Sequence, residues 1–280
     1  MRYKVRHQTT YLYSEDVSLS HSLLTCQPRT TPFQQCLSSH TWIEPNPTYW
    51  EKRRDALGNW IGYFSLEERH RKLTIVCRSL VEVTGPTAQN DPGLSWNALE
   101  LTDPELYQFL YPTPWTDCQE CKDYAAASFS TGATALEAVL QLTGRIHQDF
   151  RYLPGSTVVS TPIAQVMKQR QGVCQDFAHV LVSCLRHFGL PARYVSGYLL
   201  TTPPAGQARL VGADASHAWA SAWLPGLGWV DFDPTNNCLC DERHVVLAWG
   251  RDYQEVAPVR GVVLGGGRQQ IQVGVDVIPE

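Results

Sequence analysis

The sequence of 280 residues predicts an α+β protein: a cysteine-bearing helix packed on an antiparallel sheet that carries a histidine and an aspartate, preceded by a β-rich N-terminal domain. Three observations predict this arrangement. The front of the chain alternates apolar and polar residues with the period of a strand. The middle switches to helical spacing and ends in a helix that opens at Cys174. Beyond Pro191 the pattern returns to strands separated by proline–glycine turns. With 43% hydrophobic residues, the chain can bury a full core and is long enough for two domains.

In the front segment Tyr3, Val5, His7, Thr9 and Tyr11 alternate along one strand. Trp42-Ile43, Leu73-Thr74-Ile75-Val76 and Val81-Glu82-Val83-Thr84 give further strands. Asp55-Ala56-Leu57-Gly58-Asn59-Trp60 reads as a hairpin turn. A linker at Gly85-Pro86 and Asp91-Pro92-Gly93 closes this β-rich domain, residues 1–90. Residues 91–134 form a helical connector, with Asp103 capping and Pro104 in the first turn.

Residues 135–280 form the core with the C-terminal strands. Leu136, Val139, Leu140, Thr143, Ile146 and Phe150 make one helical stripe. After the Pro154-Gly155 loop, Thr161 caps a short helix that leads to Gln171. Strands follow at 192–200, 216–224 and 228–233, joined by Pro203-Pro204-Ala205-Gly206 and Pro225-Gly226-Leu227-Gly228. One or two more come from 261–264 and 271–277.

Net charge is −4 and no lysine–arginine cluster is long enough for a nucleic-acid surface. No window approaches the ~18 apolar residues of a membrane span. The first residues lack the apolar centre of an export signal, so a cytoplasmic location and no membrane partner are the expectation. Nine cysteines, an odd number, then read as mostly reduced thiols. Cys118-x-x-Cys121 with Cys238-x-Cys240 is the alternative, a zinc site, but the second spacing is short for one. Neither a metal nor a cofactor is expected.

Gly172-Val173-Cys174-Gln175-Asp176 places a thiol in the first turn of a helix, where free N–H groups and the helix dipole stabilise a thiolate. Polar flanks point to partial exposure, and the Cys174 N–H is a ready oxyanion donor. Cys184, on the same helix, reads as a buried, inert thiol. His217 shares a strand face with Trp219, Ser221 and Trp223. It is favoured as base over His179 and His187, which lie on the cysteine helix. Asp233 is the preferred orienting carboxylate and Asp231 the alternate. Pairing Leu224 with Trp229 would turn Asp233 to the wrong face, so that assignment needs a bulge or an odd-length loop.

Gly172-Val173-Cys174-Gln175-Asp176-Phe177-Ala178-His179, Gly189-Leu190-Pro191-Ala192-Arg193-Tyr194-Val195-Ser196-Gly197-Tyr198, Asp214-Ala215-Ser216-His217-Ala218-Trp219 and Gly228-Trp229-Val230-Asp231-Phe232-Asp233-Pro234-Thr235 resemble the bacterial transglutaminase-like superfamily. The resemblance covers roughly residues 135–250, and the front half is similar to the N-terminal domain that accompanies this core in bacteria. It implies a papain-like fold, with Cys174 as nucleophile, His217 as base and Asp233 as third member. It implies thioester chemistry on a peptide or protein substrate, and a functional link to peptide-ligating enzymes. Hydrolysis of a peptide or isopeptide is the first expectation, transamidation the second and an inactive scaffold the third. Tyr152 is a further oxyanion candidate. Trp219 is a candidate wall of the acyl groove, with core packing as its alternative, and Asp214 a candidate reader of a basic substrate group.

Overall fold

The computed structural model describes residues 1–85, 91–201 and 216–280. Five strands come first: β1 (Arg2–Leu24), β2 (Gln34–Glu44), β3 (Tyr49–Arg54), β4 (Trp60–Leu66) and β5 (His70–Val83). They lie in the order β2-β5-β1-β4-β3. The alternation read from Tyr3 to Tyr11 is the N-terminal half of β1, whose inward residues include Tyr3 and Val5. The turn at Asp55–Asn59 forms as expected. The Asp55 carboxylate accepts the backbone N–H groups of Leu57 and Asn59, and Gly58 takes the left-handed conformation at φ 75°.

The connector is a short 3₁₀ turn, Pro104–Phe109, with Asp103 accepting the Glu105 N–H as its cap, followed by α1 (Gln119–Ala125). Next is α2 (Ala135–Asp149), opened by reciprocal bonds between Thr134 and Glu137. β6 (Arg151–Tyr152), α3 (Ile163–Gln169), β7 (Gln171–Gly172) and α4 (Cys174–His187) follow. The cap of α3 is Pro162, not Thr161, whose hydroxyl oxygen instead accepts the Val158 N–H.

A second sheet holds β8 (Ala192–Leu199), β9 (Ser216–Leu224), β10 (Gly228–Asp233), β11 (Cys238–Leu239) and β12 (His244–Gly250), in the order β11-β10-β9-β8-β12. Phe177, Val180, Leu181, Cys184 and Leu185 of α4 pack against Ala220, Ala222 and Leu224 of β9. The alanines let the helix sit close, and each fully buried leucine adds roughly 1.5–3 kcal/mol.

Flat, five strands would hold β11 and β12 about 19 Å apart. Residues 240–243, which join them, contain a turn closed by the His244 N–H on the Asp241 carbonyl and cannot span that distance. The sheet therefore curls, bringing β12 back towards β10.

α5 (Tyr253–Val256), β13 (Val259–Gly265) and β14 (Gln269–Pro279) end the chain. These C-terminal strands, grouped from the sequence with the core of residues 135–280, join the first sheet and not the second. β14 pairs with the first half of β1, from Tyr3 to Tyr13, and β13 with the second half, from Val17 to Leu24. A strand of 23 residues has two long edges to fill, and chain ends distant in sequence fill one of them. Tyr3, Val5, Val81, Val83, Val275 and Val277 from this seven-stranded sheet then share a core with Tyr194, Tyr198, Ala218 and Val245.

Candidate active site

Cys174 is the first residue of α4 and is half-buried. Its turn is fixed from below by Asp176. That carboxylate accepts the Val173 N–H at 2.8 Å and the Thr157 hydroxyl at 2.7 Å, while burial pushes its pKa up against both bonds. A side chain at Gly172 would put Cβ 2.6 Å from Asp176 Oδ2. Glycine is needed there because the carboxylate passes so close, a reason different from the sharp entry its position suggests.

β9 places His217 opposite Gly197 of β8, with 8% of its surface exposed. Its Nε2 lies 2.7 Å from Asp233 Oδ2, which leaves Nδ1 for the other side of the ring. Burial opposes a charge on this imidazole. Hydrogen bonds to Asp233 and to the Cys174 sulfur, and the field of both groups, outweigh it and raise the His217 pKa to about 10. Asp233 is fully buried. Burial would raise its pKa, but the bonds from His217, His244 and Asn236 hold it far below the usual carboxylate range.

The choice between Asp231 and Asp233 is decided by reach along the strand, since register turns both to the face of His217. Leu224 pairs with Gly228, and Trp223 with Trp229, so the hairpin loop has three residues, 225–227. This odd length puts Asp231 opposite Ser221, so that Asp231 and Asp233 both lie on the face of His217, and Asp233, one pleat further on, is the one that reaches it. Asp231 accepts the Trp219 indole N–H at 3.0 Å instead.

The sequence reading missed two partners of this cluster. Asn236 donates its amide N–H to Asp233 Oδ2 at 2.6 Å, and the backbone N–H groups of Thr235 and Asn236 donate to Oδ1. His244 reaches the same Oδ2 with Nε2 at 3.2 Å, while its Nδ1 accepts the Asp241 N–H. It comes from β12 and arrives only because the sheet curls. The turn after Asp233-Pro234 is a local signal for Asn236; nothing local points to His244.

The other candidates fall as follows. Tyr152, on β6 beside Gly172, is half-exposed, and burial and then the Cys174 thiol raise its pKa. Trp219 is fully enclosed in the core, stacked edge-on against His244 with ring centres 5.3 Å apart. Asp214 lies outside the described residues. His179 is a core histidine accepting the Tyr253 N–H, with burial lowering its pKa to about 3. His187 donates to the Cys118 carbonyl. Cys184 is buried and donates its S–H to the Cys121 carbonyl. The cysteines weighed as zinc ligands are divided: Cys118 and Cys121 lie in the core around α4, and Cys240 lies beside Trp219 and Val195. Among the described residues, the donor set close enough for a metal ion is His217, Asp233 and His244, with ligand atoms within 4.8 Å of one another.

Comparison with known proteins bears on family and fold. Residues 3–82 match the bacterial transglutaminase-like N-terminal region, and residues 122–234 match the transglutaminase-like superfamily. An uncharacterized protein of Mycobacterium tuberculosis is 40% identical over 99% of this chain and 93% of its own length. The chain belongs to the transglutaminase-like superfamily. An uncharacterized Mycobacterium leprae protein is 30% identical over 99% of this chain and 98% of its own. A protein-glutamine gamma-glutamyltransferase of Pseudomonas aeruginosa is 36% identical over 32% of this chain and 14% of its own length. Among solved structures, a Cytophaga hutchinsonii protein carried under the provisional description of cysteine protease superposes with a TM-score of 0.78 at 21% identity. That match covers 100% of this chain and 91% of the other. The fold is that of this superfamily, whose shared chemistry is thiol-dependent acyl transfer. Among the described residues no helix is long and apolar enough to cross a membrane.

Proposed function

We propose that this protein is a cysteine hydrolase of peptide or isopeptide amides, with Cys174 as nucleophile, His217 as acid–base and Asp233 as its orienting carboxylate. One observation carries the reading: a nearly buried His217 lies 2.7 Å from Asp233 and is hydrogen-bonded to the Cys174 sulfur, and these contacts raise its pKa. An imidazole held against the sulfur can take its proton and so generate the nucleophile.

The chemistry follows from that pair. The thiolate attacks the amide carbonyl, a C–S bond forms, and the carbonyl electrons move to oxygen. The Cys174 backbone N–H, in the first turn of α4 and without an intrahelical acceptor, faces the developing oxyanion. The half-exposed Tyr152 hydroxyl is the second donor in this scheme. As the tetrahedral intermediate collapses, the His217 Nδ1 proton goes to the departing amine and the C–N bond breaks, leaving a thioester. His217, now neutral, takes a proton from water. Hydroxide adds to the thioester, and the acid is released with the thiolate restored. Asp233 holds the ring and its charge throughout.

The P. aeruginosa relative's description favours a second reading, in which an amine replaces water. Incubation with a peptide library and excess biotin-cadaverine separates the two. Hydrolysis gives cleaved acids with little biotin incorporation, and dominant incorporation would reassign the protein as a transamidase. Neither product, together with an unreactive Cys174, would favour a scaffold.

A further inference from the structure

On the face of the second sheet turned away from α4 lies a cavity of about 850 Å³, walled by that sheet, by residues 31–34 and 83–85 of the N-terminal domain and by Leu106 and Phe109 of the connector. Cys174 does not line it. Arg193 does, and it is unusual in how it is held. The residue is only 8% exposed, and its guanidinium carbon lies 4.1 Å from the Trp229 ring centre and 3.7 Å from that of Trp249. Stacked between two indoles, the planar fork is fixed in orientation. Its Nε is buried and, among the described residues, has no hydrogen-bond partner. A buried guanidinium N–H without an acceptor is costly, and the terminal nitrogens of this fixed fork are the groups left to meet a ligand in the cavity.

The nearest acid, Asp231, also lines the cavity and acts on Arg193 through its field without bridging to it. One Asp231 oxygen is engaged by the Trp219 indole. At the mouth stand exposed Asp103 and Glu105, with half-buried Glu242. These acids work against a simple anion. A ligand carrying both charges escapes that repulsion.

We propose that this cavity is a second binding site, for a free α-amino acid with an apolar side chain. Its carboxylate takes the bidentate fork of Arg193, its ammonium takes Asp231, and its side chain lies among Trp229, Trp249 and Phe109. A carboxylate–guanidinium pair of this geometry is strong because both bonds are charge-assisted. The adjacent but unbridged Arg193 and Asp231 match the adjacent charges of an amino acid, and the volume leaves room for the largest side chain.

Titration of the intact protein tests this, by calorimetry and by the fluorescence of the lining tryptophans. L-phenylalanine is compared with phenylalaninamide, which lacks the carboxylate, and with N-acetylphenylalanine, which lacks the ammonium. We expect each analogue to bind about tenfold more weakly or worse. Arg193→Met should abolish binding. Should that variant not fold, Asp231→Asn and the three-ligand comparison on the unaltered protein decide the matter, with Asp231→Asn weakening phenylalanine by about tenfold. Equal binding of all three ligands would overturn the proposal. So would the absence of binding by L-phenylalanine, L-leucine and L-tryptophan up to about 10 mM. Because the site is separate from Cys174, Cys174→Ala should bind phenylalanine unchanged. The proposal therefore stands or falls independently of the hydrolase reading.

Discussion

Asp233 accepts five hydrogen bonds on its two oxygens, from His217, His244, Asn236 and two backbone N–H groups. So many donors keep it ionised, and its charge in turn keeps His217 protonated. With a folded pKa of about 10 against 6.5, protonated His217 stabilises the fold fully below about pH 6.5. That contribution is lost as pH rises through about 10. The same proton serves the leaving amine, so kcat/KM should fall on an alkaline limb near pH 10. Asp233→Asn should move that limb down by about one pH unit or more, with a large loss in kcat. An unmoved limb would assign it to another group. Iodoacetamide should label half-buried Cys174 ahead of buried Cys118, Cys121 and Cys184, by mass spectrometry. Turnover should persist in EDTA, since the scheme spends the His217 and His244 Nε2 protons on Asp233. Activity lost to EDTA and restored by zinc would make these three residues ligands.

At the scale of elements, the second sheet depends on close approaches that only glycine allows. A Cβ on Gly197 would meet the Trp219 ring at 2.3 Å and the Val245 carbonyl oxygen at 2.4 Å. Trp219 is enclosed and the carbonyl belongs to β12, so neither can withdraw. Gly197→Ala should therefore destabilise by about 3 kcal/mol in urea denaturation. The outer edge of β12 is satisfied by side-chain amides from the N-terminal domain. Asn59 accepts from the Trp249 N–H and donates to its carbonyl, and Gln34 does the same for Val246. Two amides thus stand in for a missing strand at Val246 and Trp249 and blunt the edge there. Asn59→Ala strands both Trp249 groups and should cost about 1–3 kcal/mol.

Across the whole molecule, the ends of the chain close one sheet. β14 covers β1 from Tyr3 to Tyr13, and its Val275 and Val277 enter the core shared with the catalytic half. Deleting residues 259–280 should expose that edge of β1 and the valine-lined core together. Limited proteolysis should then cut the N-terminal sheet first, and thermal unfolding should occur at a lower temperature. Unchanged resistance would show that β1 needs only β4 and β5.

Read alone, the sequence determined the parts whose signal is local. Alternation marked β1, helical spacing marked α2 and α4, and the position of Cys174 at a helix start singled it out among nine cysteines. His217 and Asp233 were legible as a pair once the motifs around them were taken together. Tertiary structure alone decided the rest, because those choices depend on residues far apart in the chain. A three-residue hairpin loop, rather than any motif spacing, turned Asp233 to the face of His217. Curling of the second sheet carried His244 from its far strand onto Asp233. The last two strands joined the first because β1 is long enough to offer an edge there, which no period within 259–280 records. Arg193 reads in sequence as one more polar residue of a strand. Only the fold encloses it between two tryptophans and withholds an acceptor from its Nε, since burial is a property of what surrounds a side chain rather than of its neighbours in the chain.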